Sequence, residues 1–209
     1  MRLKGLYALT PDLADTADLL RRAEQALLGG ARLLQYRNKP ADAALRRGQA
    51  AALLVLCHRH CARLVINDDL ALALAIGADG VHLGREDGGL AAARAALGPD
   101  RLLGASCYDE IDRAREAGRS GADYVAFGSF FASPTKPAAV RAPLTLLRDA
   151  RTGIGLPVCA IGGITLANAP LLIAAGADLL AVISDLFEAP DIRARAAAYT
   201  ALFPERVTP

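Results

Sequence analysis

Eight times along this chain a short run of strand-forming, mostly apolar residues gives way to a longer amphipathic stretch rich in Ala and Leu. The runs fall at residues 5–9, 32–36, 63–66, 80–83, 102–105, 123–127, 157–161 and 179–183. Helical spacing follows each of them, near 16–28, 41–60, 70–76, 88–97, 109–118, 143–152, 167–175 and 191–202. Strands that always alternate with helices run parallel, because each helical crossover brings the chain back to the same end of the sheet. Eight units of roughly 20–30 residues predict an α/β fold, the (β/α)8 or TIM barrel. An open doubly wound sheet would use fewer strands and a switch point, and no early Gly-rich dinucleotide fingerprint marks one. With no linker or low-complexity tract in 209 residues, a single catalytic domain spanning 1–209 is expected.

The phrase Gly-Ala-Asp recurs at 77–79, 121–123 and 176–178, each time between the end of a helical stretch and the start of a strand. Glycine there supplies a left-handed cap, and the short Ala-Asp step leads into the strand. The repeat therefore marks turns at the bottom of the barrel, where residues serve stability rather than chemistry. The longest irregular stretch, 128–143, follows the sixth strand; a loop of that length is a candidate lid.

Composition narrows the partners. Apolar residues make up 53% of the chain, enough for one sizeable core, while aromatics are only 5%, so Ala and Leu must fill it with slim, closely packed helices. A net charge of +2 offers no field for a nucleic acid or an anionic membrane, and neither is expected as a partner. No secretory core precedes Asp12 and Asp15, and no apolar run approaches a membrane span. Cys57, Cys61, Cys107 and Cys159 suggest no disulfide framework, so a reducing, cytoplasmic setting is expected. The sequence leaves open whether the chain forms a homo-oligomer.

Chemistry on a barrel sits just past the C-terminal ends of the strands. After the second strand, period-two alternation puts Gln35, Arg37 and Lys39 on one face and Leu34 and Tyr36 on the other. If the apolar pair packs on the helices, the polar trio forms an anion cradle in the mouth; the plainer reading is an exposed basic loop. Asn67-Asp68-Asp69 follows the third strand and Gly84-Arg85-Glu86-Asp87 the fourth. Two carboxylates converging beside a basic site suit a Mg²⁺ held through carboxylates and substrate phosphates. Equally, Asp68 or Asp69 could cap the third helix and Asp87 the fourth.

Past the sixth strand, Ser133-Pro134-Thr135-Lys136 places hydroxyls around a proline and before a lysine, as in a phosphate-contacting loop that closes over substrate or in an ordinary turn. Ser106, after the fifth strand, is a weak candidate donor. Gly162-Gly163 after the seventh strand and Ile183-Ser184 after the eighth occupy the usual phosphate position of barrels, where glycine lets a phosphate approach the backbone. A tight turn would need the same glycines. Two anion sites in one mouth, one suited to a metal-bound diphosphate and one to a monophosphate, would suit a transferase.

At this point the chain resembles the thiamine phosphate synthase family along nearly its whole length. The pieces that carry the resemblance are Leu34-Gln35-Tyr36-Arg37-Asn38-Lys39, Val65-Ile66-Asn67-Asp68, Gly77 through Gly84 with Asp87, Gly121 through Gly128, Ser133-Pro134-Thr135-Lys136 and Ala160 through Thr165. Each is short, but their order and spacing make the set specific. The resemblance implies an enzyme that condenses a 4-amino-2-methyl-5-pyrimidinylmethyl diphosphate with a thiazole phosphate or its carboxylate. The products are thiamine phosphate and pyrophosphate. It implies that Gln35, Tyr36, Arg37, Asn38, Lys39, Asn67, Ser106 and Lys136 hold the pyrimidine diphosphate. Ser133, Pro134, Thr135, Gly163, Ile183 and Ser184 would hold the thiazole phosphate, and Asp68 and Asp87 would bind Mg²⁺. Ser133 stands where many relatives have Thr, and Tyr36 and Asn38 replace residues often seen there.

With Arg37, Lys39 and Lys136 as the catalytic cations, the expected chemistry is neutralisation of charge growing on the leaving diphosphate. No side-chain nucleophile is evident. The nearest rival is a thiazole tautomerase on the same barrel, which would need no leaving-group site; a non-catalytic phosphate-ligand sensor is a rival from another class. Cys57-His58-Arg59-His60-Cys61 resembles a zinc cluster, but no second Cys/His cluster completes it. Cys159 is expected in the core, Cys107 in the mouth, and His82 as a satisfied interior histidine rather than an acid–base group.

Overall fold

In the computed structural model, which describes residues 3–132 and 140–203, the eight repeats close on themselves. The strands are β1 (Gly5–Leu9), β2 (Leu33–Tyr36), β3 (Arg63–Asn67), β4 (Gly80–Leu83), β5 (Leu102–Tyr108), β6 (Tyr124–Phe127), β7 (Val158–Ile161) and β8 (Leu179–Val182). They pair in chain order, every pair parallel, and β8 returns to β1 with Tyr7 opposite Ala181 and Ala8 opposite Val182. The chain is thus a closed (β/α)8 barrel, as the alternation predicted.

Period-two alternation divides the strand residues between two cores. Tyr7, Leu9, Leu33, Val65, Leu102, Tyr124, Ala126, Cys159, Leu179 and Ala181 pack inside the barrel. Leu34, Tyr36, Ile66, Val81, Leu103, Val125 and Ala160 face outward against the helices. The helical side of that layer is largely alanine. Ala23 and Ala26 of α1 (Thr16–Leu28) and Ala196 of α9 (Ile192–Ala201) are fully buried, so these helices approach one another closely. Their starts are set by aspartate: Asp15 accepts from the N–H groups of Ala17 and Asp18, and Asp191 from that of Ala194.

The Gly-Ala-Asp repeat has a physical function at the barrel's bottom. Gly77, Gly121 and Gly176 all have positive φ (70°, 87° and 121°), which reverses the chain cheaply. The aspartate that follows turns its carboxylate onto the preceding strand. Asp79 accepts from Leu64 N–H at 2.7 Å, Asp123 from Leu103 N–H at 2.7 Å and Asp178 from Val158 N–H at 3.1 Å. Three strand entrances are sealed by one device.

Two details depart from expectation. β5 runs to Tyr108 with a register irregularity between Ser106 and Tyr108. Cys107 is therefore a fully buried strand residue facing the helices, not a residue of the mouth, and burial pushes its thiol up to about 12. A one-turn helix, α8 (Ser184–Phe187), stands between β8 and α9, and four residues are too few to display a helical period in sequence. No helix among the described residues is long and apolar enough to cross a membrane.

Candidate active site

A cavity of about 930 Å³ opens at the C-terminal ends of the strands. That lies at the upper end of the range for a single small-ligand site, and its lining divides into two chemically different halves. Gln35, Arg37, Asn67, His82 and Ser106 line one side; Gly162, Gly163, Ile183 and Ser184 line the other.

The first half is built by two neighbouring loops. Thr10 clamps the backbone of Arg37, its Oγ1 donating to Arg37 O at 3.0 Å and accepting from Arg37 N–H at 2.9 Å. Asp12 then holds the guanidinium, with both carboxylate oxygens 3.0 and 3.1 Å from Nη1, and also accepts from Lys39 N–H at 3.2 Å. Lys39 is exposed and lines a second, adjoining cavity of about 320 Å³ with Arg37, Asn67 and Asp68. Its Nζ lies 3.7 Å from Asp68 Oδ2. The intervening residues turn away: Tyr36 donates to Gln49 Oε1 at 2.9 Å, and Asn38 Nδ2 to Leu13 O at 2.7 Å and Gln49 Oε1 at 2.9 Å. Both residues line the second cavity rather than the first. Asp12 escaped the sequence reading, because a pairing across 25 residues between two loops leaves no local signal.

Geometry shows which of these aspartates caps a helix. Asp69 caps α3 (Leu70–Ile76), accepting from Leu72 N–H at 2.8 Å. Asp68 has φ +63°, which takes its side chain out of the strand alternation and sets it against Asp87. Asp87 does not cap α4 (Leu90–Leu97), which starts at Gly89 without a side-chain bond; it accepts from Gly84 N–H at 2.7 Å. Burial raises the pKa of Asp68, and the neighbouring Asp87 carboxyl raises it further against the opposing pull of Lys39. Two carboxyl groups crowded in this way, with only partial compensation, are the donor set that a hard divalent cation satisfies together with phosphate oxygens. Among the described residues no group of three or more His, Cys, Asp or Glu side chains converges, so phosphate or water would complete any such shell.

The second half depends on Gly162 and Gly163, with φ of +102° and +61°. A Cβ on Gly162 would overlap Ser129, and one on Gly163 would overlap Phe131 and the carbonyl of Ala132. The loop after β6 lies directly against them, bonded by Phe130 N–H to Ile161 O at 3.2 Å and Phe131 N–H to Gly162 O at 3.1 Å. Asn168 secures the turn by donating to Gly163 O at 2.9 Å and accepting from Thr165 N–H at 2.9 Å. Asp185, which also lines the cavity, accepts from Tyr199 Oη at 2.7 Å and pairs with Arg195 at 2.7 Å, tying α8 to α9. Arg195 lines the cavity from α9, a placement the sequence did not suggest. Ser133, Pro134, Thr135 and Lys136 lie outside the described residues.

At the floor, His82 has both ring nitrogens engaged, Nδ1 with Tyr124 Oη at 3.0 Å and Nε2 with Ser106 Oγ at 2.9 Å. Gln35, buried in the barrel wall, donates from Nε2 to Tyr7 Oη at 2.8 Å. The apparent zinc cluster dissolves: His58 contacts Asp79, His60 contacts Glu24, and Cys57 is buried while Cys61 is exposed.

Comparison with known proteins identifies the family. A family model described as thiamine monophosphate synthase matches residues 6–186. The thiamine-phosphate synthase of Azoarcus sp. (strain BH72) is 61% identical over 202 residues, covering 97% of this chain and 98% of its own. That of Aromatoleum aromaticum is 59% identical, covering 97% of each. Among solved structures, a thiamine phosphate pyrophosphorylase from Pyrococcus furiosus superposes with a TM-score of 0.84 at 34% identity, covering 96% of this chain and 95% of that one. A 3-hexulose-6-phosphate synthase, at 19% identity and a TM-score of 0.74, shares the fold alone. The chain belongs to the thiamine monophosphate synthase family.

Proposed function

We propose that this chain joins 4-amino-2-methyl-5-pyrimidinylmethyl diphosphate to a thiazole phosphate, giving thiamine phosphate and pyrophosphate. The observation that carries this reading is a barrel mouth with two unlike sides. Arg37 and Asn67 stand between the main cavity and an adjoining one lined by Lys39 and Asp68, with Asp87 against Asp68, and the Gly162-Gly163 turn lines the main cavity on the other side. An isomerase acting on one phosphorylated thiazole would use only the second.

In this reading Gln35 and Ser106 face the pyrimidine ring, and Asn67 sits at the diphosphate. Arg37 and Lys39, with Lys136 from the loop after β6, offset the charge that grows on the leaving oxygens. Asp68 and Asp87 are the residues that would hold Mg²⁺. When bound, that ion supplies further neutralisation of the diphosphate. The bond from the methylene carbon to the diphosphate oxygen breaks and its electron pair leaves with pyrophosphate. The electron-rich aminopyrimidine stabilises the carbon left behind, and the thiazole nitrogen donates its lone pair to form the new C–N bond. The chain contributes no nucleophile. Gly163, Ile183 and Ser184, with Ser133, Pro134 and Thr135, would fix the thiazole phosphate so that its nitrogen is in line. The four unpaired cysteines fit a reducing cytoplasm.

The test is an assay with both substrates, with and without Mg²⁺, following pyrophosphate. Turnover should require both substrates and collapse on chelation. Conversion of the thiazole phosphate alone, with no pyrophosphate, would establish the isomerase instead.

A further inference from the structure

Five side chains from five different strands form one unbroken hydrogen-bonded row across the barrel interior: Gln35, Tyr7, Tyr124, His82 and Ser106. The successive contacts measure 2.8, 2.8, 3.0 and 2.9 Å. Tyr124 does not line the cavity; it lies behind it, fully buried. Its ring meets that of Tyr7 edge-on at 5.8 Å and stacks on His82 at 5.5 Å. The row needs Gly104, since a Cβ there would overlap both Tyr124 Oη and His82 Nδ1. Burial holds both tyrosine hydroxyls far above their ordinary pKa, so each keeps its one proton.

Within the row, a hydroxyl that already accepts from one neighbour puts its single proton to use only by donating to the next. With Gln35 Nε2 donating to Tyr7, the polarity that uses every proton in the row has Tyr7 donating to Tyr124 and Tyr124 to His82 Nδ1. His82 is then neutral with its proton on Nε2, which donates to Ser106 Oγ. The Ser106 proton is left to point into the cavity, while no described residue donates to Gln35 Oε1. We propose that Tyr7, Tyr124 and His82 act as a polarity relay that makes Gln35 and Ser106 present opposite faces, acceptor and donor, to the ring bound between them. An aminopyrimidine matches this pair, its exocyclic amine donating to Gln35 and a ring nitrogen accepting from Ser106. The 4-oxo analogue carries a carbonyl and a ring N–H, the reverse of both. It fits only if the amide, both hydroxyls, the imidazole tautomer and the serine all turn over together. Tyr7, Tyr124 and His82 are in this sense positioning residues that set specificity.

The proposal rests on the function given above, and the two fail separately. One arm uses the protein alone. The ¹⁵N shifts of His82 at neutral pH should read as an unprotonated Nδ1 and a protonated Nε2, and Tyr124→Phe should mix the tautomers. The opposite tautomer, or a charged ring, overturns the relay whatever the enzyme's substrate. The second arm compares kcat/KM for the 4-amino and 4-oxo pyrimidine diphosphates. The wild type should favour the amino compound strongly, and Tyr124→Phe or Tyr7→Phe should shrink that ratio about tenfold or more, with KM for the thiazole phosphate unchanged. Equal losses on both diphosphates, leaving the ratio intact, would mean a merely structural row and overturn the proposal. If neither diphosphate is turned over by the wild type, the functional reading fails and the nuclear-resonance arm alone decides the relay.

Discussion

The two ends of the barrel use aspartate in opposite ways. At the bottom, Asp79, Asp123 and Asp178 each accept a backbone N–H from the start of a neighbouring strand, and Asp123 also binds Arg94 at 2.5 Å. At the mouth, Asp68 is pressed against Asp87, half-buried, with its pKa raised first by burial and then by its neighbour. Carboxylates at the bottom satisfy strand donors and favour the folded state. Those at the mouth crowd one another, which opposes the charged form of Asp68, and in the proposed function a bound metal would offset that cost. Such a division is expected when one face of a barrel carries stability and the other chemistry.

The sharpest way to break this comparison is Asp68→Asn. Asparagine tolerates the positive φ of +63° at this position, so the backbone should hold. Turnover should fall by about 10²–10³-fold, the effect of losing one electrostatic partner of a developing charge, ~3–4 kcal/mol. The metal-free protein should nevertheless melt higher than the wild type at neutral pH. The sign follows from linkage: a carboxyl whose folded pKa lies above its unfolded value binds protons more tightly when folded, so the fold loses stability as pH rises through that window. The advantage of the variant should therefore narrow as pH falls towards the ordinary aspartate range. Melting curves across pH in chelator check it, and a lower melting temperature for the variant at neutral pH would place Asp68 with the stabilising acids.

Asp123→Ala is the mirror experiment at the bottom. It leaves Leu103 N–H without its acceptor inside a closed barrel and frees Arg94 from its carboxylate. A loss of about 2–3 kcal/mol is expected by denaturant titration, since a buried donor left unpaired costs about 1–3 kcal/mol. At temperatures where the variant stays folded, kcat and both KM values should match the wild type. A fall in kcat without unfolding would show that the two faces are coupled.

How far this division could be read in advance depended on the range of the interactions involved. The three bottom turns repeat the same tripeptide, so their structure was visible as a local pattern. Period-two alternation likewise placed Gln35 and Arg37 towards the mouth and Tyr36 away from it. Tyr7 and Tyr124 lie inside the barrel, and nothing in their local sequence announces that their hydroxyls meet. Their hydroxyl pairing joins positions 117 residues apart, and only the closed barrel brings them together. Asp68 and Asp69 were interchangeable as caps in sequence, since the distinction lies in backbone dihedrals. Cys107 was misplaced because the strand continues past Ser106 with a register irregularity that composition does not signal.

Gly163→Ala tests the other half of the mouth with a smaller effect. Alanine at φ +61° carries strain of about 1–2 kcal/mol, and its methyl meets the backbone of Ala132 and Phe131. The loop after β6 must then retreat from the turn it is bonded to. We expect KM for the thiazole phosphate to rise about tenfold, while KM for the pyrimidine diphosphate changes less. Equal changes in both would contradict the separation of the cavity into two anion sites.

The smallest effect is expected at Asp12, which touches Arg37 and Lys39 but is not itself placed at the reacting atoms. Asp12→Asn keeps an acceptor for Lys39 N–H and for one Arg37 hydrogen bond, and removes only the negative charge. Its carboxylate is one-third exposed, so the ion pair is worth ~0.2–1 kcal/mol and is screened by salt. KM for the diphosphate should shift less than about fivefold, and the difference from wild type should shrink as ionic strength rises. Asp12→Ala, which also removes both acceptors, should do more, because Arg37 then keeps its charge but loses its orientation. A loss in Asp12→Asn as large as that in Asp68→Asn would erase the contrast between an acid that positions cations and the acid proposed to act at the leaving group. Near-equality of Asp12→Asn with wild type, together with a clear defect in Asp12→Ala, would show that Asp12 works through geometry rather than charge.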